Sequence, residues 1–193
     1  MARAEAYLEE FRSGVKSASP ARAPRQEARW EKPEKDHLKA NVDATKTKEG
    51  GTGLGLVVRD GEGRLILAAV QRTRVDWEPE MAEAQALLWA LDLLHIHACQ
   101  PTLIESDCQS LIQKLDRRGD IETELGVIVK EIKGRCSERG DVRWRFWGRG
   151  GNVAAHEMAR ANCRWEETKI WVGKPPIFIL NTLERDCNST LPF

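Results

Sequence analysis

The chain has no surplus of either charge, since 30 lysines and arginines stand against 30 aspartates and glutamates. A protein that attracts polyanions through its overall basicity is thereby excluded, and any basic surface must be local. No stretch approaches the run of about 18 apolar residues that a membrane-spanning helix needs. Met1 to Glu10 lacks a basic segment followed by an apolar one, so no signal peptide is expected and the chain is assigned to the nucleus or cytoplasm, away from membranes. The five cysteines (Cys99, Cys108, Cys136, Cys163 and Cys187) are odd in number and contain no C-x-x-C pair. Such spacing fits neither a disulfide framework nor a structural zinc site and points to a reducing compartment. The run Gly50-Gly51-Thr52-Gly53 has neither the lysine nor the helix start of a phosphate-cradling loop, which leaves a tight turn between strands.

What is present suffices for one domain, because 193 residues fall within the roughly 100–200 typical of a single core. Residues 1–29 open with a short helical pattern, Ala4 to Phe11, and continue as an Ala/Ser/Pro/Arg stretch with too few large apolar groups to repay ordering, so they read as a flexible linker. The domain is expected over 30–165. Residues 166–193, with Trp171, Pro175 and Pro176, read as a tail packing on or trailing it.

Leu38, Ala40, Val42 and Ala44 alternate with Lys39, Asn41 and Asp43, which predicts a first strand. Leu54 to Arg59 and Arg64 to Val70 are apolar β-prone runs joined by Asp60-Gly-Glu-Gly63, a hairpin signal that makes them antiparallel neighbours. Pro79 opens a helix whose Met81, Ala84, Leu87, Leu88, Leu91 and Leu94 recur at three- and four-residue spacing. A short strand at Thr102 to Glu105, two helices, a strand from Asp141 to Trp147 and a last helix from about Asn152 complete the pattern. The expected fold is α/β, a five-stranded mixed sheet flanked by helices, with three antiparallel strands followed by parallel ones.

In such a sheet the carboxyl ends of neighbouring parallel strands form the usual ligand edge. Asp43 near the end of the first strand and Asp107 just after the fourth would emerge there together. Glu83 stands one turn before Leu87, at the margin of a buried stripe, where a carboxylate is costly without a cation. Each has an ordinary alternative: Asp43 as a strand-end residue, Asp107 as a helix cap, Glu83 as a solvated first-turn acid.

The ordered set Trp30-x-x-Pro33, Lys39-Ala-Asn-Val-Asp43-Ala, Gly53-Leu-Gly-Leu-Val-Val-Arg-Asp60, Ala82-Glu83-Ala-Gln-Ala86, Glu105-Ser-Asp107 and Asn152-Val-Ala-Ala-His156-Glu-Met-Ala159-Arg160 resembles the ribonuclease H-like superfamily. Within it, the pattern is most similar to the plant reverse-transcriptase-associated RNase H-like domain. The resemblance implies carboxylates that bind two divalent ions, Mg2+ or alternatively Mn2+, across the scissile phosphate of the RNA strand in an RNA–DNA hybrid. Asp43, Glu83 and Asp107 map onto three of the acidic positions. Hard cations of this kind prefer carboxylate and water oxygens. Many active members of the family carry an aspartate where this chain has His156, and neutral imidazole is a poor magnesium ligand. His156 joins the three acids as a candidate catalytic residue, for positioning water or assisting product release, with a packed helix residue as its ordinary alternative.

Between Lys130 and Arg164 nine basic residues face four acidic ones, a local surplus of five. Arg143, Arg145, Arg149 and Asn152 are the candidate nucleic-acid contacts from this stretch, holding phosphates without reading sequence. The leading expectation is a monomeric ribonuclease H-type endonuclease. The alternative is a transposon-derived, catalytically weak or inactive module that keeps the fold and the basic surface. An exonuclease on the same fold is disfavoured, because it would place a second acid two residues after Asp43, where Thr45 stands.

Overall fold

The computed structural model describes residues 28–119, 122–140, 142–161 and 167–188. The expected linker up to residue 27 lies outside them, as do Asp141, Cys163, Arg164 and Trp165. Six strands form one sheet: β1 (Lys39–Lys46), β2 (Thr52–Arg59), β3 (Leu65–Thr73), β4 (Leu103–Ser106), β5 (Arg143–Phe146) and β6 (Thr168–Val172), in the order β5-β4-β1-β2-β3-β6. The β1-β2-β3 run is antiparallel, whereas β4 and β5 pair in parallel with their neighbours. The mixed α/β architecture is as expected, with a sixth strand where five were anticipated. That strand, β6, pairs antiparallel with β3, Leu67 opposite Val172 and Ala69 opposite Ile170. Its Ile170 and Val172 are exposed, so the inward-facing alternation that marks a strand is missing on that side.

Among the described residues five α-helices flank the sheet: α1 (Pro79–Ile96), α2 (Gln109–Asp116), α3 (Glu124–Glu138), α4 (Val153–Arg160) and α5 (Leu180–Asn188). None of the described helices is long and apolar enough to cross a membrane. Local chemistry fixes the joints. Asp60 Oδ1 accepts from the amides of Glu62 and Arg64 at 3.0 and 2.9 Å, and Gly63 supplies the left-handed φ of +85° that closes the β2–β3 turn. Pro79 occupies the start of α1, and Thr123 Oγ1 caps α3 by accepting from the Gly126 amide.

One face of the sheet is apolar. Ala40, Val42, Leu56, Val58, Leu67, Ala69 and Ile104 meet Leu87, Leu91 and Leu94 of α1, Leu111 and Leu115 of α2 and Ile132 of α3. Each fully buried leucine contributes about 1.5–3 kcal/mol relative to exposure. The other face is divided. Under α4 and α5 it is apolar, with Val57, Ala68, Val70, Ala154, Met158 and Leu183.

Beside them sits a buried polar cluster centred on Glu105. Its carboxylate accepts from Lys39 Nζ at 3.3 Å, Asn41 Nδ2 at 3.0 Å and Arg145 at 2.5 Å. Trp30, 1% exposed, seals the cluster. Its indole N–H donates to Asn41 Oδ1, and its ring stacks with the cross-strand neighbours Lys39 and Arg59, whose guanidinium carbon is 3.5 Å from the ring centroid. Arg59 in turn pairs with Asp186 of α5 at 2.7 Å. The alternation in β1 correctly marks two faces, but the polar one, Lys39-Asn41-Asp43, is as buried as the apolar one.

Glu105→Gln leaves the Lys39 ammonium buried without a counter-charge, and burial already lowers the Lys39 pKa while Glu105 opposes that shift. Guanidinium unfolding at pH 7 should show a loss of about 3–5 kcal/mol. A loss below about 1 kcal/mol, the range of an exposed pair, would mean that the cluster is solvated and not structural.

Candidate functional site

Parallel pairing of β1 with β4 opposes Asn41 to Glu105, so the residues two further along each strand, Asp43 and Asp107, stand level at the same edge and on the same face. Glu83 arrives from the opposite face, one turn into α1. Its carboxylate accepts from the Ala44 amide and from Ser106 Oγ, both at 3.3 Å, so it bridges the two strand ends. Ligand oxygens of Asp43, Glu83 and Asp107 all lie within 4.8 Å of one another. Asp107 is not the cap of α2: Cys108 occupies that position without a side-chain cap, and Ser106 Oγ takes the Cys108 amide.

The fourth element is α4, which lies unusually close to β2. A Cβ on Gly55 would collide with the Ala155 carbonyl and the Ala159 amide, and one on Gly53 with the Ala159 carbonyl. These glycines therefore serve a close helix–strand approach inside β2, not the turn to which the glycine-rich stretch was assigned. Gly55 is the register partner of Asp43. The approach consequently brings His156 onto the acid, with Nδ1 2.9 Å from Asp43 Oδ2. With Asp43 ionised, Nδ1–H is the donor and Nε2 carries the lone pair.

Asn152, fully buried at the head of α4, donates from Nδ2 to the Val42 carbonyl at 2.9 Å and lies 3.5 Å from Asp107 Oδ1. Its Oδ1 is buried with no hydrogen-bond partner. The loop before it, Arg149–Gly151, is a 3-10 turn seated on residues 28 and 29. Side chains at Gly148 or Gly150 would meet Ala28, one at Gly151 would meet Trp147, and Trp147 Nε1 donates to the Arg29 carbonyl at 2.8 Å. Exposed Arg149 reaches Asp107 Oδ2 at 3.9 Å.

Of the eight candidate residues, Asp43, Glu83, Asp107, His156, Asn152 and Arg149 thus converge. Arg143 and Arg145 do not: Arg145 is committed to Glu105, and Arg143 stands with Thr102 and Trp144 around a separate groove. Sequence reasoning missed Trp30 and Gly55 as supports of the site. Their signals, an aromatic beside a charged strand face and a G-x-G inside an apolar run, were present.

The centre is electrostatically strained. Burial, reinforced by Asp43 and Asp107, pushes the Glu83 carboxyl up to about 9. Burial also raises Asp43 to about 6, against the opposing hydrogen bond from His156. Three carboxylates so close share too little positive charge, and a hard divalent cation is the chemical species that would let all of them ionise. The unsatisfied Asn152 oxygen beside them is a further hard donor, so the residues present fit such an ion.

A family model described as "Reverse transcriptase-like" matches residues 41–162, which include all three acids, Asn152 and His156. The chain belongs to the reverse transcriptase-like family. Solved structures agree on the fold. RNase H1 of the archaeon Halobacterium salinarum is 20% identical with a TM-score of 0.52, over 64% of this chain and 94% of its own. LC11-RNase H1, isolated from compost by a metagenomic approach, is 18% identical with a TM-score of 0.54, over 63% and 91%. A further structure of LC11-RNase H1 is a complex with an RNA/DNA hybrid, at 16% identity and a TM-score of 0.54, over 63% and 92%. No curated protein matches.

For this reverse transcriptase-like domain the raised acids fix a pH dependence. The unfolded chain loses these protons near pH 4. The metal-free fold keeps them on Asp43 to about 6 and on Glu83 to about 9, so stability falls as pH rises across that window. Glu83→Gln should flatten this slope and stabilise the metal-free protein at pH 8 by roughly 1–3 kcal/mol in urea unfolding. An unchanged slope would show that Glu83 is already ionised in the fold.

Proposed function

We propose that the protein is a divalent-metal-dependent endonuclease of ribonuclease H type, hydrolysing the RNA strand of RNA–DNA hybrids. The observation that carries this reading is the meeting of Asp43, Glu83 and Asp107, from β1, α1 and the end of β4, with ligand oxygens within 4.8 Å. The family membership and the hybrid-bound structural neighbour support it.

Asp43, Glu83 and Asp107 would hold Mg2+ or Mn2+, which supplies Lewis-acid polarisation of the phosphate and of the attacking water. His156, anchored through Nδ1, offers Nε2 on the open side to orient that water or to take its proton. Asn152 fixes the head of α4 against β1 and aligns Asp107, while Arg149 is poised for a phosphate oxygen. Discrimination for RNA would use the 2′-hydroxyl. All of these residues come from one chain, so a monomer completes the site. A second reading, a transposon-derived module that binds without cleaving, is favoured by one feature: the fourth family position is His156, which adds no negative charge to a two-ion site.

A labelled RNA–DNA hybrid incubated with the protein and Mg2+ or Mn2+ separates the two. We expect cleavage that falls on the order of 100-fold or more in Asp43→Asn. His156→Asp, by restoring a fourth carboxylate, should lower the metal concentration needed for half-maximal rate. Hybrid binding with no cleavage by the unaltered protein, under either metal, selects the second reading.

A further inference from the structure

His156 faces two places. Its Nδ1 contacts Asp43, and its side chain also lines a groove of about 490 Å³ that leaves the acidic centre between the end of β1 and α4. Thr45, Thr47, Lys48, Arg72 and Arg160 form much of the rest of its wall. The groove is open and polar, unlike the enclosed apolar pockets that take small organic ligands.

Its charge is unevenly committed. Arg72 pairs with Glu49 at 2.5 Å, and Lys46, also on the wall, with Asp76 at 3.0 Å. Lys48 and Arg160 are exposed, and neither forms a salt bridge with an acid among the described residues, although Lys48 lies near enough to Glu49 to help lower its pKa. Arg160 follows His156 by one helical turn on the same face of α4, about 6 Å further from the acids along the helix axis. A ligand that spans both places must tolerate a carboxylate cluster at one end and exposed cations at the other. A polyphosphate strand does so when one phosphate meets the acids through a bound cation and its neighbours meet the cations directly.

We propose that this groove is a backbone subsite, in which Lys48 and Arg160 hold phosphodiesters of the substrate strand on one side of the reacting phosphate, with Thr45 as a neutral hydrogen-bonding wall. The proposal rests on the nucleic-acid reading of the acidic centre but assigns residues outside it. The subsite carries no sequence preference, since it touches only backbone.

The test measures equilibrium binding of an RNA–DNA hybrid to the full chain carrying Asp43→Asn, over a range of salt concentrations, with and without Lys48→Gln and Arg160→Gln. Each substitution should reduce the slope of log affinity against log salt by about 0.7–0.9. Affinity at low salt should fall several-fold, with the melting temperature unchanged. The effect should vanish on one of two hybrids whose RNA ends just beyond the centre at either the 5′ or the 3′ side. Hybrid binding with unaltered slopes in both variants overturns the subsite and leaves the function intact. If no hybrid is cleaved by the protein with Asp43 in place but single strands or duplex DNA bind with the reduced slopes, the subsite stands and the cleavage reading fails. Absence of binding to all of these nucleic acids overturns both.

Discussion

Glu105 is fully buried, and a carboxylate removed from water must be compensated at the place where it lies. Two of its partners, Lys39 and Asn41, stand on β1, and the third, Arg145, stands on β5. A one-residue slip of β4 against β1 would turn Glu105 into the apolar face and present Ile104 to the ammonium of Lys39. The polar cluster therefore specifies register more than it adds stability, which is the best-attested use of buried ionic groups. Register is what places Asp43 and Asp107 side by side. The same two strands carry both arrangements, two residues apart: one set of charges is satisfied internally, and the next is left to be satisfied from outside.

That contrast explains how an acidic centre can be built into a protein with no net charge. The cations nearest the sheet interior, Lys39, Arg59 and Arg145, are consumed by Glu105 and Asp186, and Trp30 closes over two of them. Lys39 and Arg59 in particular are almost wholly removed from solvent. The exposed cations nearest the acidic centre stand on loops and a helix end, at Arg149, Arg160 and Lys48. Counting residues along 130–164 found a basic surplus but could not distinguish Arg145, which is spent, from Arg149, which is not. Partnership depends on which carboxylate lies across the sheet, and that is a tertiary fact.

The site was legible to the extent that it follows from strand order. Asp43 and Asp107 were placed together by assuming parallel neighbours, and β1 and β4 are such neighbours. Glu83 was recognisable because its position on the helix sets it at the margin of a strongly periodic apolar stripe. What failed was longer in range or weaker in pattern. The sixth strand has two exposed apolar residues and pairs with β3 about 100 residues earlier, so neither alternation nor a local turn announced it. The Gly53 and Gly55 pair read as a turn because glycine is a turn former in isolation. Its actual use, admitting α4 to β2, depends on Ala155 and Ala159 coming from the far end of the chain.

The close seating of α4 also explains how a histidine can take part in the acidic centre. A longer helix–sheet distance would leave His156 in solvent. At the distance set by Gly55, its ring is held against Asp43 at 2.9 Å with its side chain only partly exposed. The histidine offers Asp43 a hydrogen bond that offsets part of the burial penalty, so one of the three crowded acids is relieved without adding a fourth negative charge. Glu83 has no cationic partner of that kind; it accepts from an amide and a hydroxyl and carries the larger shift. The electrostatic demand of the centre is thus directed toward Glu83, away from α4. A cation drawn to the site would meet its least compensated oxygens at Glu83 of α1, leaving the His156 side open toward the basic groove. His156 thus sets how charge is distributed over the centre, and the direction of that distribution follows from which helix was allowed to come close.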